Sequence, residues 1–344
     1  MIKPLIIAGP CAAETREQVL TTARLMAEAG VSIFRAGVWK PRTEPGAFEG
    51  VGEEALEWLA EAQQQTGLPA ATEVATPVHV HLALKNGIRT LWLGARTTTN
   101  PFLVQQIADA LAEEIASKTV APEELTVLVK NPVSPDVRLW KGAIERIREA
   151  GVTRILAVHR GFQTGQPTPY RNAPNWSVPF ALRLEKPEIP LLLDPSHMAG
   201  KTELIPELSA QAMSLGYDGL MVEAHCNPSQ AKSDREQQLN PDELKALISN
   251  LVLRTDKTDA GLSNLRRQLD ETDDTLFMLI LQRMQISKRI GAFKREHNLP
   301  VLQEKRYAKI LKNRLEWARK NGLDDEVVKR IMEALHEESC RWQL

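Results

Sequence analysis

The chain has 344 residues, 43% of them hydrophobic, enough to bury a full core in one large domain with a small one, or in two medium ones. Its 43 Lys+Arg against 44 Asp+Glu leave no global field to recruit nucleic acid or an anionic membrane, so any anion site must be local. The N-terminal "MIKPLIIAGP" is too short an apolar run for a signal peptide and "LFMLIL" (Leu276–Leu281) too short to span a bilayer, while Cys11, Cys226 and Cys340 are odd in number and far apart, so a cytoplasmic protein without disulfides is expected.

From residue 5 to about 225, short β-rich runs alternate with helical patterns. In chain order the runs are "LIIA", "VSIFRAG", "PAATEV", "RTLWLG", "LTVLVK", "TRILAVHRG", "PLLLD" and "GLMVEAH". Helical segments such as Arg16–Ala29, Glu53–Gln64, Leu139–Ala150 and Glu203–Leu215 lie between many of them, and Gly30, Gly67, Gly151 and Gly216 are helix-stop signals. This repetition suggests a parallel (β/α)8 barrel, and an open doubly wound sheet would give a similar pattern. A further helix starts at Pro241, and "RTDKTDAGLS" (Arg254–Ser263) then reads as a polar linker. Beyond it Leu262, Leu265, Leu269, Leu276, Leu279, Ile280, Ile286, Ile290 and Phe293 recur at helical spacing, predicting one helix of about 35 residues and about 50 Å. Two more helices are expected over Gln303–Asn321 and Asp324–Trp342. Such a tail cannot readily bury its own apolar face, so self-association is expected.

In a barrel, residues at the strand exits share one mouth, where active sites of this architecture lie. One group there is cationic: Arg35, Lys40, Arg42, Arg96, Lys130 and Arg160. Read as a cluster without interspersed carboxylates, it repels itself unless anions fill it, and Arg offers a fork to phosphate and carboxylate oxygens. Small phosphorylated, carboxylated substrates fit. The second group is Cys11, His197, Glu223 and Asp234, whose thiolate, imidazole and carboxylates suit a divalent metal of the manganese, iron, cobalt or zinc type.

Taken together, "AGPCAAE", "KPRT", "GARTT", "KNP", "HRGF", "DPSH" and "VEAHCNPSQAKSDREQQL" resemble the type I 3-deoxy-D-arabino-heptulosonate 7-phosphate (DAHP) synthases over residues 5 to about 240. The resemblance implies a (β/α)8 barrel that condenses phosphoenolpyruvate with erythrose 4-phosphate and releases phosphate. It implies Cys11, His197, Glu223 and Asp234 as ligands of a divalent metal, manganese first. It assigns Arg35, Lys40 and Lys130 to the phosphoenolpyruvate carboxylate side, Arg96, Arg160 and the Ala95 amide to its phosphate, and Arg42 and Thr43 to the erythrose 4-phosphate phosphate. Lys40 and Lys130 are carried over as catalytic. The related 3-deoxy-D-manno-octulosonate 8-phosphate synthases have a "KANRS"-like sequence where this chain has "KPRT", which favours the four-carbon sugar.

In the long helix Arg283 and Lys294 differ by about 20° around the axis and about 16 Å along it, so both can close on one molecule. Arg266 is roughly 42 Å from Lys294 and can reach only a partner chain's site. The spacing resembles the all-helical chorismate mutases over residues 263–344. These are intertwined dimers, and by position the chorismate site would comprise Arg266 from the partner with Arg283, Lys294, Arg306, Ser339 and Gln343. Lys294 and Gln343 would act catalytically on the ether oxygen. Tyr307 departs from the family, which usually has Glu directly after the arginine matched by Arg306. The expected organisation is a barrel over 1–253, a linker over 254–262 and a helical domain over 263–344, in a homodimer or higher oligomer held by the helices. Because the first strand starts by residue 5, the tail is also the expected feedback sensor. A tail that only senses and dimerises, or a barrel making the octulosonate product, is the alternative.

Overall fold

A computed structural model describes residues 3–40, 46, 48–165, 168–251 and 260–344. Eight parallel strands among them close into a barrel in sequence order. They are β1 Leu5–Gly9, β2 Ile33–Arg35, β3 Ala70–Val74, β4 Thr90–Leu93, β5 Thr126–Lys130, β6 Arg154–His159, β7 Leu191–Leu193 and β8 Gly219–Glu223. Closure comes from β1 on β8, with Ile7 opposite Met221 and Gly9 opposite Glu223. The surrounding helices are α1 Arg16–Glu28, α2 Glu54–Thr66, α3 Pro77–Lys85, α4 Ala95–Thr98, α5 Pro101–Ala116, α6 Val137–Glu149, α7 Ser177–Glu185, α8 Pro195–Ala199, α9 Ile205–Ser214 and α10 Pro241–Asn250.

The period-2 alternation of strand side chains sorts the core into two layers. Ile7, Trp92, Leu128, Leu156, Val158, Leu192 and Met221 fill the barrel interior. Their neighbours Ile6, Ala8, Leu91, Leu93, Val127 and Val129 point outward into the larger layer under the helices. Both layers are apolar because a parallel sheet covered by helices has no wet face. Polar residues therefore concentrate where the strands end: Arg35, Lys130, His159 and Glu223 are the last residues of β2, β5, β6 and β8.

The chain divides into two compact units, Met1–Thr255 and Asp256–Leu344. The second holds α11 Ala260–Glu296, α12 Glu304–Lys320 and α13 Asp325–Gln343. At 37 residues α11 is about 55 Å long. It packs mainly on α13. Leu265, Leu269, Phe277 and Met278 on α11 are each more than 60% exposed. Among the described residues no helix is long and apolar enough to cross a membrane.

Candidate functional site

The mouth of the barrel gathers candidate ligand atoms from the end of the first strand, the end of the last and the loop after it. Cys11 Sγ and one carboxylate oxygen each from Glu223 and Asp234 lie within 4.8 Å of one another. Cys11 follows β1, Glu223 ends β8, and Asp234 sits on the following loop in the left-handed conformation (φ 47°), which Asp tolerates better than most residues. The Cys11 thiol donates to Asp234 Oδ2 at 3.0 Å. His197 is carried by α8, whose N-cap Asp194 accepts from the His197 amide at 3.0 Å. Its Nε2 lies 3.5 Å from Glu223 Oε1, and its Nδ1 lies 2.8 Å from Asp194 Oδ2. The Asp194 carboxylate attracts Nδ1 without hydrogen-bond geometry, which leaves Nε2 on the side of Glu223.

The protonation states suit such an ion. Burial pushes the Cys11 thiol up to about 12, with Glu223 adding to the rise and Lys40 opposing it. The thiol is thus neutral until a cation displaces its proton. Burial lowers His197 against the opposing pull of Asp194, leaving the neutral imidazole that ligates. For Glu223 and Asp234 burial pushes upward but is outweighed, first by His197, so both are held below the usual carboxylate range. A thiol, a neutral imidazole and two carboxylates form a donor set that fits a divalent metal.

Beside it lie the cations. Arg35 is 1% exposed, donates from Nη2 to Glu223 Oε1 at 3.2 Å and stacks 4.7 Å from the Trp92 ring. Its Nε and Nη1 are buried and find no acceptor among the described residues. Leaving guanidinium donors unpaired in the interior is costly, and an anionic ligand would satisfy them. Lys40 donates to Cys11 Sγ at 2.9 Å and to the Cys11 carbonyl at 3.0 Å. Lys130 donates to Asp194 Oδ2 at 2.6 Å. Arg160 follows β6 and donates from Nη1 to Asn172 at 2.7 Å; burial lowers it to about 10. Ala95 opens α4, with Arg96 next to it and exposed. Arg42 and Thr43 lie outside the described residues.

One expectation needs correction. The cationic cluster is not free of carboxylates: Asp194 and Glu223 neutralise Lys130 and Arg35, and Glu73 on β3 is buried beneath them, accepting from Trp92 Nε1. Six cations at one mouth without such partners would destabilise the fold before any substrate arrived. The third strand's exit, unread in the sequence, was the signal for Glu73. Arg171, Asn172 and Gln237 were also missed, because polar residues on loops carry no periodicity.

In the helical unit, Arg283 Nη1 donates to the Leu335 carbonyl at 2.9 Å and to Ser339 Oγ. Lys294 donates to Gln343 Oε1 at 2.9 Å and to the Val301 carbonyl at 2.7 Å. Lys294, Ser339 and Gln343 are buried although polar, and α11 and α13 thus bring four of the six expected residues together. Arg266 and Arg306 are exposed, and among the described residues no hydrogen bond joins them to these four. Tyr307 stacks on His336 with ring centroids 4.1 Å apart.

Comparison with known proteins separates the same two units. Residues 2–258 match the DAHP synthetase I family, and residues 265–344 match chorismate mutase type II. A Thermotoga maritima protein named phospho-2-dehydro-3-deoxyheptonate aldolase is 32% identical over 246 residues, 72% of this chain and 68% of that protein. A 2-dehydro-3-deoxyphosphooctonate aldolase of Stenotrophomonas maltophilia is 28% identical over 267 residues, covering 72% and 89%. The crystal structure of a Thermotoga maritima DAHP synthase superposes with a TM-score of 0.63 at 31% identity, over 72% of this chain and 68% of that one.

Proposed function

This chain belongs to the DAHP synthetase I family and carries a chorismate mutase type II domain after the barrel in sequence, a transferase joined to an isomerase, and from that premise we propose how its residues divide the work. The observation that carries the reading is the convergence of Cys11, Glu223 and Asp234 within 4.8 Å, beside a buried Arg35 with two donors that find no acceptor among the described residues. Cys11, His197, Glu223 and Asp234 would hold a divalent ion, manganese first. When bound, it supplies electrophilic activation of the erythrose 4-phosphate aldehyde oxygen.

Arg35, Lys40 and Lys130 bind the carboxylate side of phosphoenolpyruvate; Arg96, Arg160 and the Ala95 amide bind its phosphate, and Arg42 and Thr43 the phosphate of the sugar. This orients phosphoenolpyruvate carbon three toward the aldehyde, an entropic contribution that needs no covalent nucleophile. Lys40 stays protonated: burial lowers its pKa, but Cys11 and Glu223 outweigh it. Burial lowers Lys130, with Asp194 opposing, so its ammonium gives up a proton more readily than a surface lysine. Asp194 touches both Lys130 Nζ and His197 Nδ1 and so ties the substrate side to the ligand side.

In the helical unit, Arg283 and Arg306 with a partner's Arg266 bind the chorismate carboxylates, Ser339 assists, and Lys294 and Gln343 donate to the ether oxygen as charge develops there. A site that needs a partner's Arg266 calls for a homodimer through α11, and the cytoplasm remains the expected place of action. The same pocket binds prephenate and thereby slows the barrel.

The test is chelation of the purified full chain. Synthase turnover is expected to vanish and to return with manganese, cobalt or zinc, while chorismate turnover persists throughout. Cys11→Ser and His197→Ala should lose the synthase in the same selective way. Full synthase activity in chelator without added metal would count against the assignment.

A further inference from the structure

Glu223 and Asp234 come from separate segments, yet each offers one oxygen to the cluster. Glu223 Oε1 faces Arg35 and His197 Nε2, and Asp234 Oδ2 faces the Cys11 thiol. The other oxygen of each is tied elsewhere. Gln237 Nε2 donates to Glu223 Oε2 at 2.6 Å. Arg171 Nη1 donates to Gln237 Oε1 at 2.7 Å and to Asp234 Oδ1 at 2.9 Å. The outward oxygens are thus joined by one bridge, Glu223 to Gln237 to Arg171 to Asp234, and the inward oxygens face the site.

The bridge is anchored to the α8 segment that carries His197 as well. The Arg171 and Asn172 amides donate to the Ala199 and Met198 carbonyls of α8, and Asn172 Nδ2 donates to the His197 carbonyl at 2.6 Å. Gly200 ends α8 with φ 76°, and a Cβ there would lie 2.6 Å from Arg171 Cβ, so the arginine runs along a surface that only glycine leaves open. Gln237 is 1% exposed and cannot trade these partners for water.

We propose that Arg171 and Gln237 are positioning residues that act as one unit, setting which oxygens Glu223 and Asp234 present to a divalent ion. The inference rests on the metal reading above. It adds that the donor geometry is built by the protein before an ion arrives, since two carboxylates this close repel each other unless a cation and an amide hold their backs. Partners behind ligating carboxylates commonly govern metal affinity 10- to 100-fold.

The experiment titrates the chelator-stripped full chain with Co2+ alone, reading the thiolate-to-cobalt charge-transfer band, the ligand-field spectrum and the affinity by competition with a chelator. Cys11→Ser must abolish the charge-transfer band; if the band survives, the metal reading itself fails. Gln237→Met and Arg171→Met are each expected to weaken Co2+ binding by about 10- to 100-fold and to alter the ligand-field spectrum, with far-UV circular dichroism unchanged. Because the two act as a unit, the double variant should lose less than the product of the single losses. Arg171 is half-exposed at its side chain, so its replacement keeps the test decisive where Gln237→Met disturbs folding. Wild-type affinity and spectrum in Arg171→Met, with a Cys11-dependent band intact, would overturn the proposal and leave the metal reading standing.

Discussion

Gly291 lies inside α11, where a glycine costs about 1 kcal/mol of helix stability relative to alanine. Propensity alone therefore makes Gly291→Ala stabilising. The structure predicts the opposite functional outcome. A Cβ at position 291 would lie 2.6 Å from both Gln343 Cα and Gln343 O, about 1 Å inside ordinary carbon contact. Gln343 is near the end of α13, so the end of that helix moves away in preference to the middle of α11. A 1 Å retreat stretches the Lys294–Gln343 contact from 2.9 Å to beyond hydrogen-bonding range and carries Gln343 off the expected ether oxygen. Loss of one preorganised donor costs roughly 10²- to 10³-fold in turnover, about 3 to 4 kcal/mol of transition-state stabilisation. The assay follows chorismate absorbance under steady-state conditions, with thermal unfolding on the same preparation. A fall of about 10²-fold in kcat/KM with helix content retained is expected. A variant within about threefold of wild type and higher in Tm would show that propensity decides at this position and that Gln343 is not held by the close helix approach.

His159 is buried against Tyr217, donor or acceptor at 2.9 Å, and against Trp176, and burial lowers its pKa from 6.5 to about 3. Because the folded pKa lies below the unfolded one, the stabilisation is complete above pH 6.5 and declines at about 1.4 kcal/mol per unit as pH falls toward 3. His159→Phe should lower stability at neutral pH by leaving Tyr217 unpaired, yet give a shallower decline between pH 6 and 4 in denaturant titrations; an unchanged slope would refute the assignment. Arg283→Ala and Arg266→Ala chains should each lose mutase activity alone, and mixed heterodimers should regain one intact site of two. Absence of rescue after subunit exchange verified by mass would remove the intersubunit role of Arg266. Prephenate should inhibit the synthase of the full chain with a coupling of about 1 to 3 kcal/mol, and Arg283→Ala should abolish that inhibition; equal synthase rates at all prephenate concentrations would exclude it.

The parts of this protein legible in its sequence are those governed by local periodicity. Runs such as "LTVLVK" and "TRILAVHRG" read as strands because a buried parallel strand needs β-branched residues on both faces, and their last residues fell on one rim because parallel closure leaves no other place for them. Partner choice was not legible. Arg171 reaches Asp234 across 63 positions, and Gln237 reaches back 14 to Glu223, distances over which neither pattern nor propensity carries information. Glu73 escaped notice for a different reason. In "PAATEV" it looks like a polar residue at the frayed end of a weak strand, and only the closed barrel brings it against Trp92 below the cations.

The helical unit has the converse difficulty. Leucines and isoleucines at spacings of three, four and seven fix α11 as a helix, but Leu269, Phe277, Met278 and Leu279 do not share one narrow stripe. About 100° separates each residue from the next, so Phe277, Met278 and Leu279 together sweep roughly 200° of the helix surface. A three-helix unit covers one side of a rod about 55 Å long, and these residues stay more than half exposed. Apolar surface in such quantity on several faces is what an intertwined second copy would bury. The same pairing would bring Arg266, stranded at the far end of its own α11, to a site built by another chain.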